Sequence, residues 1–259
     1  MVENGYNKHD LYELCVQSPK DLVPLLRAIH GHAPKVLGED FAGTAAVSHL
    51  WVQREGCSAI AVDFDEETLR RRGEHQRIVK HLRDVREVSE PCDLLFVGNF
   101  SIGYLHTRAE LIAYLKHARE RLNASNGVFV CDTYGGESAY TIGGVHRAHP
   151  MPGGKLCRYT WEQHSADPTT GMVTNLIHFR VERAGVIEFE LEDAFVYDWR
   201  LWSIPELRDA MEDAGFGETQ VYAKLADAVD DEGNAYVSPV EDGEEELEES
   251  FIVLVAGRV

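Results

Sequence analysis

Four short stretches carry residue types that chemistry can use, and they follow one another along the chain. The first is Glu39-Asp40-Phe41-Ala42-Gly43-Thr44-Ala45-Ala46, a turn of small residues opening a helical pattern. Gly43 lets a ligand approach the backbone, and amides after it would point outward from a helix start. Small residues also serve wherever a strand turns tightly into a helix. The second is Asp63-Phe64-Asp65, about 20 residues beyond the glycine, where an acidic side chain ending a strand can accept from two ribose hydroxyls. Asp65 suits a helix N-cap better, which leaves Asp63 for the ligand. The third, Asp84-Val85, sets a carboxylate beside an apolar residue, able to accept from an exocyclic amine and flank an adenine ring; an ordinary turn Asp is the alternative. The fourth is Asn99-Phe100-Ser101, followed by Tyr104 and His106.

Apolar periodicity supplies the elements that must hold these stretches. Strands are expected at 35–40, 58–63, 78–83, 92–98 and 127–133, alternating with helices at 45–55, 66–76 and 107–122. Leu94 to Val97 are apolar on consecutive positions, so both faces should be covered, as in a parallel sheet between helices. This is a doubly wound, Rossmann-like α/β fold. Before it, 11–16 and 20–29 read as helices, the second ended by Pro34, so that residues 1–33 form a helical cover. After it, 159–163, 173–181 and 186–197 are β-branched and aromatic with turn signals between them, an antiparallel insertion over 159–202 placed to act as a lid. Ser203 with Glu206 is a capping box for a helix over 204–214, with Pro205 in its first turn and Gly215 at its end. Strands at 220–225 and 251–257 close a single domain spanning 1–259, and the acidic connection 227–250 reads as a solvated loop. The glycine-rich run from Tyr134 to His146 reads as a connecting loop that could gate a pocket.

The charge balance narrows the partners. Lys plus Arg number 25 against 44 Asp plus Glu, a formal net charge of −19 that repels phosphate backbones and anionic membranes. Nucleic acid and membrane partners are therefore not expected. The five cysteines are widely spaced and form no C-x-x-C pair, which argues against a disulfide framework or a structural zinc site, and no metal is expected. No apolar run approaches the roughly 20 residues needed to span a bilayer, and no leader pattern is present, so a cytoplasmic location is the expectation.

Taken in order, these residues resemble the class I S-adenosylmethionine-dependent methyltransferases over residues 35–259. The resemblance implies that Glu39, Asp40, Phe41, Ala42, Gly43 and Thr44 enclose the methionine part of S-adenosylmethionine. It implies that Asp63, with Phe64, binds the ribose and that Asp84-Val85 contacts adenine. Asn99, Phe100 and Ser101 then stand beside the transferable methyl, and S-adenosylhomocysteine is the product. One departure is plain. Where the family's turn is glycine-rich at three positions, this chain has Phe41, Gly43 and Ala45. Phe41 must hold φ below zero or bear the cost of a left-handed exception.

The fourth stretch lacks the prolines of base-amino methyltransferases and the paired glutamates of protein arginine methyltransferases. What remains resembles the small-molecule branch, whose lid is the 159–202 segment here. Its run Phe195 to Trp202 concentrates aromatics, and Tyr197, Trp199 and Arg200 are candidates to hold an acceptor through ring faces or a guanidinium. Alternating aromatics in a strand are more often what core packing, or packing in a homodimer, produces. Tyr12, Tyr134 and His178 join the substrate set, with Tyr6 as a further roof residue.

Transfer from a sulfonium is an in-line displacement, so positioning and exclusion of water can supply much of the catalysis. An amine acceptor need only arrive deprotonated; a hydroxyl would gain from a base. Asn99, Tyr104 and His106 form the catalytic set, with His106 preferred over His146 and His178 because it follows the fourth stretch directly. The expected activity is methyl transfer to a small polar metabolite. The rivals are a non-catalytic binding protein, motivated by Phe41 and Ala45, and an NAD oxidoreductase, opposed by the absence of G-x-G-x-x-G.

Overall fold

The computed structural model describes residues 2–3, 5–16, 19–241 and 247–259. In chain order, β1 (Val2–Glu3) pairs with β2 (Tyr6–Asn7) and leads into α1 (Lys8–Cys15) and α2 (Pro19–His30). Strands and helices then alternate: β3 (Val36–Asp40), α3 (Ala46–Trp51), β4 (Ser58–Asp63), α4 (Glu66–Arg70), β5 (Ile78–Leu82), β6 (Leu94–Val97), α5 (Arg108–Arg121) and β7 (Val128–Gly136). Four long strands follow, β8 (Gly143–Met151), β9 (Lys155–Asp167), β10 (Met172–Arg183) and β11 (Val186–Arg200). The chain ends with α6 (Ile204–Asp213), β12 (Glu218–Ala223), the short β13 (Ala228–Val229) and β14 (Ala235–Tyr236), and β15 (Ser250–Arg258). These elements form two compact units, one of Pro19–Gly136 with Trp202–Val259, the other of Met1–Ser18 with Glu137–Leu201.

The larger unit is built on a seven-stranded sheet of order β12-β15-β7-β6-β3-β4-β5. The five expected strands β3 to β7 run parallel, and β15 is antiparallel to both β7 and β12. The chain enters at the centre in β3, winds out to β5 and crosses back to β6, so the winding reverses between β3 and β6. Register sets Asp40 beside Val62 of β4 and Val97 of β6, which brings three carboxyl ends to one level. All four residues of β6 are buried, as its unbroken apolar run requires. One face packs on α5 and α6 through Leu111, Tyr114, Leu207 and Met211, the other on α2 and α3 through Leu26, Ile29 and Trp51. The Ser203/Glu206 capping box opens α6 as expected.

Several boundaries differ from expectation for identifiable reasons. Helix α2 stops at His30, where Gly31 turns left-handed at φ 76°, before Pro34 is reached. Helix α4 stops at Arg70 rather than near 76. The Lys80 ammonium donates to the carbonyls of Leu69, Arg72 and Gly73 at 3.0, 3.1 and 2.7 Å, which supplies partners that a longer helix would otherwise provide. Strand β7 runs on to Gly136 because β15 pairs with it as far as Ser250.

The smaller unit is a four-stranded antiparallel sheet of order β11-β10-β9-β8, with α1 against one face. Leu11 of α1 packs among Tyr159, Ile177, Phe179 and Val181. The N-terminal helices thus belong to different units, α1 to the smaller and α2 to the larger. Residues 143–151, expected as connecting loop, are the edge strand β8, paired with β9 from Gly143 opposite Gln163 to Met151 opposite Lys155. Nearly all of β8 is exposed on both faces, so it carries no hydrophobic alternation to betray it. In the acidic connection, β13 and β14 form a small hairpin around Asp230, whose carboxylate accepts from Asn234 and the Tyr236 hydroxyl. Residues 242–246 of that connection lie outside the described residues. Among the described residues, no helix is long and apolar enough to cross a membrane.

Candidate functional site

The turn after β3 is held from below. Glu39 is only 3% exposed, and its Oε2 accepts from the Ser48 amide at 2.8 Å and the Ser48 hydroxyl at 2.5 Å. Helix α3 has Ala45 at its N-cap, which carries no side-chain oxygen, so Glu39 provides the missing acceptor from the strand. Burial pushes the Glu39 carboxyl up to about 7 against the opposing pull of the Ser48 donors. Asp40 does not take the cofactor-facing place expected of it. Its side chain is fully buried, with both oxygens held by the Arg121 guanidinium at 2.9 and 2.8 Å and Oδ2 by the Tyr114 hydroxyl at 2.8 Å. That carboxylate ties the end of β3 to α5.

The three positions at which the resemblance implies glycine all turn left-handed: Phe41 at φ 55°, Gly43 at 54° and Ala45 at 56°. Phe41 and Ala45 bear a cost of about 1–2 kcal/mol each for a shape glycine adopts freely. The turn therefore keeps its form without two of its glycines. Its amides, expected to face a ligand, are partly engaged: Ala42 donates to the Val62 carbonyl at 2.9 Å, Ala45 to the Ala42 carbonyl at 2.8 Å, and Gly43 to Asp63 Oδ2 at 2.7 Å. Ala42 and Thr44 are buried beneath it.

The Gly43 contact puts Asp63 against the turn. Its other oxygen accepts from the Asp65 amide at 2.9 Å, and burial pushes the carboxyl above its ordinary range. With the Phe64 amide also on it, the carboxylate still retains lone-pair capacity for a ligand donor. Phe64 beside it is 72% exposed, an aromatic ring left to solvent at the strand's carboxyl end. Asp65 caps α4 by accepting from the Thr68 amide, as expected. Asp84 follows from the neighbouring strand, where the Arg83 amide donates to the Asp63 carbonyl at 3.1 Å. It accepts from the Arg86 amide, Nε and Nη2 at 2.9, 2.8 and 2.5 Å, and that guanidinium holds its carboxyl below the usual range. Sequence reasoning did not foresee Arg86; an exocyclic amine at Asp84 would share the carboxylate with it. Val85 is buried.

After β6, Asn99 and Phe100 are both left-handed, at φ 56° and 61°. Asp132 of β7, 2% exposed, holds them: its Oδ2 accepts from the Asn99 amide at 3.1 Å and its Oδ1 from the Phe100 amide at 2.7 Å. Lys224 Nζ stands 3.5 Å from Asp132 Oδ2 and 5.4 Å from the centre of the Phe100 ring, and Tyr134 meets that ring edge-on at 5.0 Å. Sequence reasoning missed Asp132 and Lys224. The available signal was a lone carboxylate inside the apolar run Val128 to Thr133. Ser101 is buried, and Tyr104, 40% exposed, stacks on Phe41 with ring centres 6.0 Å apart, joining the β3 turn to the β6 loop. Trp202 Nε1 donates to the Leu105 carbonyl at 3.0 Å, which anchors the backbone between Tyr104 and the exposed His106. Side chain to backbone bonds thus link the carboxyl ends of β3 and β4, and those of β6 and β7, the Phe41–Tyr104 stack joins the two pairs, and Asp84 follows at β5.

The candidates in the smaller unit divide between the faces of its sheet. Tyr197 and Trp199 lie on the covered face, stacked at 4.4 Å, with Tyr12 of α1 against Phe195 at 5.0 Å. His178 and Arg200 occupy the opposite face, where His178 meets Glu162 at 3.3 Å and Asp193 at 3.5 Å. The period of two along β10 and β11 places Tyr197 and Trp199 on one face and His178 and Arg200 on the other. His146 also lies exposed there, its Nδ1 2.9 Å from the Thr160 hydroxyl. Tyr6, expected as a roof residue, donates its hydroxyl to Glu188 at 2.9 Å.

The sequence matches no protein-family model, and no curated protein matches it. Solved structures do match over nearly the whole chain. An S-adenosylmethionine-dependent methyltransferase from Clostridium acetobutylicum is 16% identical, with 97% of this chain and 96% of that one covered and a TM-score of 0.63. The sugar N-methyltransferase KedS8 from Streptoalloteichus sp is 16% identical, with 97% and 92% covered and a TM-score of 0.67. The amino pentose methyltransferase CalS10 from Micromonospora echinaspora, solved with S-adenosylmethionine bound, is 16% identical, with 98% of each chain covered and a TM-score of 0.66. The mostly parallel central sheet and the separate antiparallel sheet are therefore the Rossmann-like methyltransferase fold that the sequence led us to expect.

Proposed function

We propose that this chain transfers a methyl group from S-adenosylmethionine to an amino group on a small, sugar-like acceptor. The observation that carries the reading is the 2.7 Å bond from the Gly43 amide to Asp63, which joins the β3 turn to the acidic end of β4, beside the switch point between β3 and β6. The residues suit such a cofactor. Asp63 keeps acceptor capacity for a ribose hydroxyl, Phe64 exposes a ring to flank a base, and the turn holds its left-handed form at all three positions. Similar structures act on nitrogen acceptors, sugar and glycopeptide N-methyltransferases among them, which favours an amine over a hydroxyl.

When bound, S-adenosylmethionine supplies an electrophilic methyl carbon on a sulfonium. Asp63 and Asp84 with Val85 would grip the adenosine, and residues 41–45 would close around the methionine part. The Asn99-Phe100 loop, fixed by Asp132, would set one wall beside the methyl, and Tyr104 and Tyr134 would orient the incoming amine. That amine would arrive deprotonated, so these residues would position the reactants rather than exchange protons. His106 would serve only an acceptor that needs a base.

Calorimetry with S-adenosylmethionine, S-adenosylhomocysteine and NAD tests the cofactor; tight NAD binding with no response to the sulfur compounds would end the reading. A panel of nucleotide-linked amino sugars, with their hydroxyl counterparts, tests the acceptor through S-adenosylhomocysteine release and a mass gain of one methylene. Binding without release from any acceptor would identify a non-catalytic binding protein instead, and methylation of the hydroxyl counterparts alone would overturn the amine assignment.

A further inference from the structure

Cys15 and Cys157 stand 142 positions apart in the chain, yet their sulfurs lie 3.6 Å from each other. Cys15 ends α1; Cys157 lies on β9 between His149 of β8 and Val181 of β10. Both thiols sit in the apolar cluster of the smaller unit, beside Leu11, Tyr159 and Phe179. The other three cysteines belong to the larger unit and meet different groups, Cys57 facing the Arg27 guanidinium at 3.6 Å and Cys92 packing beside Gly38. A disulfide requires its sulfurs at about 2.05 Å, a closure of the order that side-chain rotation and a small movement of the last helical turn supply.

We propose that Cys15 and Cys157 form a reversible redox site, in which a peroxide oxidant joins the two contacting thiols and staples α1 to the antiparallel sheet. Both thiols are buried, Cys15 at 7% and Cys157 at 0% exposed, and access for a molecule as small as hydrogen peroxide would come through fraying of the last turn of α1, which Cys15 ends. The Cys15 S–H is directed at the Cys157 sulfur and holds the Cys157 thiol below its ordinary range, so Cys157 reaches the thiolate first. That thiolate attacks one peroxide oxygen; the O–O bond breaks, hydroxide leaves, and Cys157 becomes a sulfenic acid. The Cys15 sulfur then attacks the sulfenic sulfur, the S–O bond breaks, and hydroxide leaves to combine with the Cys15 proton as water. The first hydroxide recovers the proton lost from Cys157. In total two thiols lose two electrons, and one peroxide is reduced to two waters. The bond closes a very long loop, so it restricts the unfolded chain and holds α1 with its Tyr12 on the sheet.

Titrating the intact protein with hydrogen peroxide, blocking remaining thiols by alkylation and mapping peptides without reduction tests this directly. The expected result is one cross-link between the peptides bearing Cys15 and Cys157, a fall from five alkylated thiols to three, a thermal midpoint raised by several degrees, and full reversal by dithiothreitol. Cys15→Ser should fold, lose the cross-link and stop at a sulfenic acid on Cys157 that a dione probe traps. Five thiols still alkylated after treatment, sulfinic acid at either position without a cross-link, or a link through Cys57, Cys92 or Cys131 would each overturn the assignment.

Discussion

Asp132 holds two consecutive left-handed residues through their amides, and replacing it isolates what that hold contributes. Asp132→Ala removes two charge-assisted bonds, at 3.1 and 2.7 Å, from the amides of Asn99 and Phe100. Each such bond contributes about 1.5–3 kcal/mol. Once released, Asn99 and Phe100 can leave the left-handed region, which returns about 1–2 kcal/mol each. The net loss is then about 2–4 kcal/mol of unfolding free energy if the loop relaxes only in part. The Lys224 pair adds less than either amide bond, because its ammonium stands 3.5 Å away and its side chain is 38% exposed. Asp132→Asn keeps one acceptor oxygen and should lose about half as much. Equilibrium urea unfolding measures both variants at unchanged slope. In the transfer assay, the freed loop no longer fixes its wall of the site, and kcat should fall about 10- to 100-fold. On the proposed reading Asp63 and the β3 turn grip S-adenosylmethionine, so its affinity should change much less. If Asp132→Ala unfolds within about 0.5 kcal/mol of the parent, or turns over at the parental rate, the account of this loop is wrong.

Three further expectations follow from the same contacts. Arg121→Met strands the buried Asp40 carboxylate and should cost about 3–5 kcal/mol, whereas Asp40→Leu combined with Arg121→Met should cost clearly less; urea titrations giving equal losses would refute the pairing argument. Glu39 has its carboxyl raised from 4.5 to about 7 when folded, so its contribution is fully present below pH 4.5 and is lost as pH rises through about 7. Relative to Glu39→Gln, the parent should therefore lose on the order of 3 kcal/mol of stability across that interval, and parallel pH profiles for the two proteins would remove the effect. Asp63→Ala should weaken cofactor binding by about 1–3 kcal/mol, roughly 5- to 150-fold, and an unchanged calorimetric affinity would take Asp63 out of the site.

Much of the scaffold was legible residue by residue. Consecutive apolar positions from Leu94 to Val97 specified a strand covered on both faces, Ser203 with Glu206 opened α6, and Asp65 capped α4. These features depend on neighbours within a turn of helix or a pleat of strand, so local spacing contains them. The left-handed run at Phe41, Gly43 and Ala45 was only half legible, because a positive φ shows itself in sequence through glycine and two of the three were absent. Strand β8 and the stop of α4 depended on pairing with β9 and on Lys80, which no local pattern announces.

The site divides along the same line. Asp40 and Asp63 both end strands and read alike as ligand carboxylates, but the crossover that brings α5 over β3 sets Arg121 on Asp40, 81 positions away, and leaves Asp63 at the turn. Asp132 and Arg86 acquired their roles in the same way, and so did the two faces that separate Tyr197 from His178. Local periodicity determined most of the central strands and helices; which ends share a level and which charged group each carboxylate meets was settled only when the strands closed, since Coulomb and hydrogen-bond partners are chosen by distance in space rather than by position along the chain.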